Sequence, residues 1–101
     1  MAANAADKQS DELMANLAGL FKMFSDPTRV KILNILLDGE KCVGDVAAQM
    51  NMSAAAVSHH LRMLRQGNLV IDRRQGKEVF YSLADDHVVA ILSLGMEHVT
   101  E

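Results

Sequence analysis

The chain has 101 residues, a formal net charge of −3 and a single cysteine, and half of its residues are apolar. That length supports one domain with a modest core, and a lone thiol excludes an internal disulfide, so a reducing, cytoplasmic setting is expected. No apolar run reaches the roughly eighteen residues of a membrane span, and no basic start leads into a hydrophobic segment with a cleavage site, so neither a membrane helix nor a signal peptide is expected.

Residues 1–10 are small and polar without apolar periodicity and read as a mobile tail, leaving 11–101 as the folded domain. From Asp11, the positions Leu13, Leu17, Leu20, Phe21 and Phe24 keep a helical period as far as Ser25-Asp26-Pro27. Asp26 as N-cap and Pro27 at the first helical position open a second helix. Its Val30, Ile32, Leu33, Ile35, Leu36 and Leu37 are expected to be largely buried, and Asp38-Gly39 ends it. A short helix follows from Val43 to Met50, broken at Asn51-Met52, and Ser53 caps another that runs to about Gln66 and stops at Gly67-Asn68. Two helices separated by so tight a break predict a helix-turn-helix. In the second of them Val57, Leu61 and Leu64 form the inward stripe and Ala55, Ser58, His59, Arg62 and Arg65 the outward one, with His60 partly inward.

The segments from Leu69 to Arg74 and from Glu78 to Leu83 are rich in branched and aromatic residues, and Gln75-Gly76-Lys77 joins them. That pattern predicts a hairpin with a basic tip. A last helix runs from Asp86 to Val99, capped by Asp85 or Asp86. The whole reads as a mainly α chain with a β-hairpin wing, a winged helix-turn-helix, and no internal repeat competes with it.

Global charge misleads here. Between Asn51 and Lys77 stand Arg62, Arg65, Arg73, Arg74 and Lys77 against Asp72 alone, a local charge of +4, so the remainder carries −7. Basic residues gathered on two consecutive elements suit double-stranded DNA, because phosphates are met locally and distant acidic groups are screened. Ser53, Ala55, Ser58 and His59 are the candidates near base edges, Arg62 and Arg65 for phosphates, and Arg73, Arg74 and Lys77 for the minor groove or backbone. The competing reading is that exposed arginines only solvate the helix and that a basic hairpin tip only discourages edge pairing.

The closing helix carries a second pattern. His87, Ile91, Leu94, His98 and Glu101 follow one stripe, and Asp85 precedes it. His87 and His98 are separated by roughly 16 Å along a helix axis, whereas zinc ligands lie about 2.0–2.2 Å from the ion, so one helix cannot close both around one metal. An antiparallel partner helix would bring His98 and Glu101 of one chain against Asp85 and His87 of the other. Solvated histidines remain the alternative.

Taken as blocks, Ser25-Asp26-Pro27-Thr28-Arg29-Val30-Lys31-Ile32-Leu33, Cys42-Val43-Gly44-Asp45-Val46, Met52-Ser53-Ala54-Ala55-Ala56-Val57-Ser58-His59-His60-Leu61, Arg74-Gln75-Gly76-Lys77 and Phe80-Tyr81-Ser82-Leu83 resemble the ArsR/SmtB family of bacterial metal-sensing repressors. The likeness runs from about Leu13 to Glu101. It implies a winged-helix homodimer built on its first and last helices that binds operator DNA without metal and releases it when metal binds. Relatives that sense arsenic, cadmium or lead carry Cys-x-Cys on the third helix, but Gly44 stands two residues after Cys42, and no Cys or His between Met1 and Lys22 could complete a site there. Asp85, His87, His98 and Glu101 match the zinc-sensing branch at each position, so the resemblance implies zinc as effector, with cobalt and nickel as alternatives. It further implies a relay from His98 to the end of the recognition helix around Gly67-Asn68. An alternative within the family is a regulator that answers another signal, such as redox state through Cys42. An enzyme is not expected, since Cys42 has no candidate base near it in the chain.

Overall fold

A computed structural model describes residues 5–101; the expected tail over residues 1–4 lies outside them. The order is α1 (Ala5–Met23), α2 (Pro27–Leu36), β1 (Lys41–Cys42), α3 (Val43–Met50), α4 (Ala54–Gln66), β2 (Val70–Gln75), β3 (Glu78–Leu83) and α5 (Asp86–Thr100). α1 starts at Ala5 rather than Asp11, so the expected tail is helical from Ala5 on. Residues 5–10 hold no Pro or Gly to break a helix, and Asp7 in the first turn and Lys22 in the last both complement the helix dipole.

Local chemistry fixes the joints. Asp26 caps α2 by accepting the Arg29 N–H at 2.9 Å, and Pro27 occupies the first turn, where no backbone donor is needed. Arg29 then reaches back, its Nε donating to the Met23 carbonyl at 3.0 Å and its Nη2 to that of Lys22 at 3.2 Å. The Met23 carbonyl at the end of α1 thereby gains a donor from α2, and the Lys22 carbonyl, which already accepts from the Ser25 N–H and hydroxyl, gains a further one. α3 ends at Asn51 in the left-handed region, φ 54°, which asparagine tolerates better than most residues, and Ser53 opens α4 by accepting the Ala56 N–H at 3.1 Å. The tight break between α3 and α4 is built from these two residues.

The core is a single cluster. Ile32, Leu33 and Leu36 of α2, Val46 and Ala47 of α3, and Val57, Leu61 and Leu64 of α4 pack with Leu69, Val70 and Tyr81 under Val88 and Leu92 of α5. Val30 and Ile35 of α2 and its C-cap Leu37 are only half-buried at the edge of the core. The helical periods of α2 and α4 thus place their inward residues in one core.

The sheet has three strands in the order β1-β3-β2, all antiparallel. β2 and β3 form the hairpin, and Gly76 at φ 63° opens its two-residue turn, a conformation that side-chain-bearing residues rarely adopt. Val70, Asp72 and Arg74 point to one face of β2, Ile71, Arg73 and Gln75 to the other. β1 is an addition to the sequence reading. It pairs Lys41 with Tyr81 and Cys42 with Phe80, and so ties the wing to the corner between α2 and α3.

Candidate nucleic-acid interface and metal centre

α4 and the hairpin present the basic residues. Val57, Leu61 and Leu64 are buried, so Ala55, His59, Arg62 and Arg65 are left on the exposed side of α4. Ser53 uses its hydroxyl oxygen as the cap acceptor, and its O–H proton stays available to a phosphate. Ser58 is half-buried and lines a cavity of about 300 Å³ with Cys42, Gly44, Ala54, Lys77 and Glu78. That cleft separates the start of α4 from the tip of the wing. His60 turns inward, its Nδ1 buried without a hydrogen-bond partner and its ring edge-on to His59 at 5.9 Å.

Not all the arginines are free. Arg65 donates from Nη1 to Asp72 at 3.0 Å, bridging α4 to β2. Arg73, though half exposed, is engaged at all three guanidinium nitrogens: Nε donates to both Glu40 oxygens at 2.8 and 3.0 Å, Nη2 donates to Glu40 at 2.6 Å, and Nη1 donates to Gln75 at 2.8 Å. Its guanidinium also lies over the Phe80 ring, 4.7 Å from the centroid. Arg62, Arg74 and Lys77 are exposed, and with His59 and the half-exposed Arg65 they make up the accessible basic face.

Two environments shift ionisation. The Arg73 hydrogen bonds hold the Glu40 carboxyl below its ordinary value of 4.5, against a smaller opposing effect of burial. A depressed carboxylate stabilises the fold above that ordinary range and loses its contribution as pH falls through the lowered value. The Tyr81 phenol is pushed up by burial and by Asp72, opposed by Arg65 and Arg62. Those four groups meet where α4 crosses the hairpin.

At the other end, Asp85 caps α5 by accepting the Val88 N–H at 3.1 Å through Oδ1, and His87 Nδ1 lies 3.6 Å from the same oxygen. The His87 side chain is 92% exposed. His98 stands at the opposite end of α5, in the wall of an open apolar groove of about 770 Å³ between α1 and α5, with Phe21, Phe24, Val30, Ile91 and Leu94. Glu101 follows as the exposed C-cap. The structure therefore brings Asp85 to His87 and keeps His98 and Glu101 apart from them. Among the described residues of one chain, no three His, Cys, Asp or Glu gather to hold a metal ion.

The apolar groove continues along both helices. Leu13, Met14, Leu17 and Phe21 of α1 and Leu94, Met96 and Val99 of α5 are all exposed, Leu94 at 65% and Val99 at 77%. So many large apolar side chains on two adjacent helices exceed what a solvated surface needs.

Comparison with known proteins accounts for this architecture. Residues 26–72 match the family described as bacterial regulatory protein, arsR family. A transcriptional repressor SmtB homolog from Synechocystis is 44% identical over 85 residues, covering 84% of this chain and 64% of that protein. A cadmium resistance transcriptional regulatory protein CadC homolog from Staphylococcus aureus is 45% identical over 87 residues, covering 85% of this chain and 72% of that protein. Among solved structures, a homodimeric winged helix-turn-helix DNA-binding domain from Mycobacterium bovis superposes with a TM-score of 0.87 at 29% identity, covering 100% of this chain and 92% of that one. No helix among the described residues is long and apolar enough to cross a membrane. Fold, sequence and the α4–wing surface agree, and the chain belongs to the arsR family of bacterial regulatory proteins.

Proposed function

We propose that this protein is a homodimeric, metal-responsive transcriptional repressor of the cytoplasm that binds operator DNA without metal and releases it when zinc binds. The observation that carries this reading is the apolar groove between α1 and α5 with His98 in its wall. A second copy of the chain is the occupant that would cover the exposed faces of both helices at once, and a solved relative is itself homodimeric. The same packing sets half a donor set from each chain side by side.

The donors suit zinc. Two imidazoles and two carboxylates form a borderline nitrogen and oxygen set of four, matching tetrahedral ligation, and cobalt is an alternative on the same grounds. Asp85 and His87 of one protomer with His98 and Glu101 of its partner would hold the ion, twice per dimer. Asp85 keeps Oδ2 available, because its cap bond uses Oδ1. When bound, the metal supplies a cross-link between the two α5 helices. A thiolate site at Cys42 has no comparable support: the cysteine is free and half-buried at the start of α3, with Gly44 rather than a second sulfur beside it. A cadmium-resistance regulator among the relatives favours a metal as the signal.

On DNA, α4 would enter the major groove and the wing would lie along the adjacent backbone, with two copies of α4 meeting successive half-sites. Ser58 and His59 near the start of α4 and the free cations Arg62, Arg74 and Lys77 do the reading and the phosphate pairing. Metal shifts the dimer only as far as it prefers one arrangement of protomers over the other. The DNA face is tested with a duplex selected from a random-sequence pool. Arg62→Ala should weaken binding and make the slope of log K against log salt shallower by about 0.9, the signature of one lost phosphate contact. An unchanged slope would place Arg62 off the DNA.

A further inference from the structure

Asp72 and Arg73 are neighbours on β2, so their side chains leave the hairpin on opposite faces. Each ends in an ion pair to a different part of the body: Asp72 to Arg65 of α4, and Arg73 to Glu40 just ahead of β1. The strand register explains the second reach. Arg73 sits opposite Phe80, and Phe80 sits opposite Cys42, so the guanidinium crosses β3 over the Phe80 ring to meet the carboxylate next to β1. It thereby points along the sheet toward the body of the protein.

Exposed ion pairs usually contribute little, and the single Arg65–Asp72 contact falls in that class. The Arg73 pair has the geometry that departs from this rule. Nε and Nη2 both donate to one carboxylate, the ring covers one guanidinium face, and Gln75 takes the remaining arm. A side chain held at three points has little freedom left for a phosphate.

From this we infer that Arg73 is a positioning residue for DNA binding, acting through Glu40 to fix the pitch of the wing against α4, and is not itself a DNA contact. The inference rests on the proposed reading that α4 and the wing bind duplex DNA. It divides the charged residues of α4 and the wing into two kinds: Arg62, Arg74 and Lys77 meet the nucleic acid, while Arg73 and Glu40 hold the platform that presents them.

The test is a salt titration of the full-length dimer, in chelator, on a duplex selected from a random pool, for wild type, Arg73→Gln, Arg73→Lys, Glu40→Gln and the double variant Arg73→Gln/Glu40→Gln. Thermal unfolding confirms that each is folded at the assay temperature. Arg73→Gln and Arg73→Lys should both weaken binding, by up to about fivefold, the ceiling for an exposed pair, while keeping the wild-type slope. Lysine fails because it retains the charge and loses the two-pronged geometry. Glu40→Gln should cause the same loss, and the double variant no more than either single one. A slope shallower by about 0.9 in Arg73→Gln, with Arg73→Lys near wild type and Glu40→Gln binding more tightly, would make Arg73 a phosphate contact and overturn the inference. So would unchanged affinity in all the variants. If the wild type itself shows no salt-dependent binding, the DNA reading falls, and that result is distinct from the other two.

Discussion

Leu94→Glu should yield a monomer that has lost both operator binding and stoichiometric zinc binding, although Leu94 is neither a metal donor nor near the DNA face. The side chain is 65% exposed in the single chain, so a glutamate there costs the isolated fold little. In the dimer the same position would be sealed against a second apolar surface, where an unpaired carboxylate is expensive. Operator affinity depends on two linked recognition helices, and losing the linkage should lower it by about 10²–10⁴-fold. Zinc binding should fall with it, since Asp85 and His87 of one chain need His98 and Glu101 of another. Sedimentation and a zinc titration read both properties on one sample. A monomer that still binds one zinc per chain with unchanged affinity would mean that the ligands come from within a chain, and the intersubunit site would be abandoned.

His98→Ala separates sensing from binding. His98 lies in the groove wall on α5, whose lining includes no residue of α4 or of the wing, so its removal should leave operator affinity in chelator as it was. What should disappear is the metal effect. Allosteric coupling of this kind is typically about 5–150-fold in affinity, and the variant should retain less than about a twofold response. Loss of operator binding in chelator would instead assign His98 a structural part in the dimer.

Much of this was legible in the residues because the signals are local. Asp26-Pro27 starts α2, Ser53 caps α4, and the Val57, Leu61 and Leu64 stripe faces the core, each decided within a turn or two of helix. The hairpin was equally plain from two branched segments around Gly76. What escaped was non-local. β1 is two residues long, too short to show a period, and exists only because β3 offers it an edge. The Arg73–Glu40 pair joins residues 33 positions apart, so the sequence offers five cations on α4 and the hairpin as DNA contacts when two of them, Arg65 and Arg73, are engaged in ion pairs. The start of α1 at Ala5 escaped as well, because residues 5–10 carry no apolar period to announce it. The proposed metal ligands His87, His98 and Glu101 follow one stripe of α5 with Asp85 just ahead of it, but their meeting would require a second chain, and helix spacing alone says only that His87 and His98 of one chain cannot share an ion.

One surface is proposed to serve as dimer interface, metal site and switch. This is tested most directly by operator affinity of the wild-type dimer measured at fixed salt with chelator and then with one equivalent of zinc per protomer. Binding should be tight in chelator and weaken by about 5–150-fold on adding zinc, and recover when chelator is restored. Equal affinity in the two conditions, with zinc shown to be bound, would contradict it.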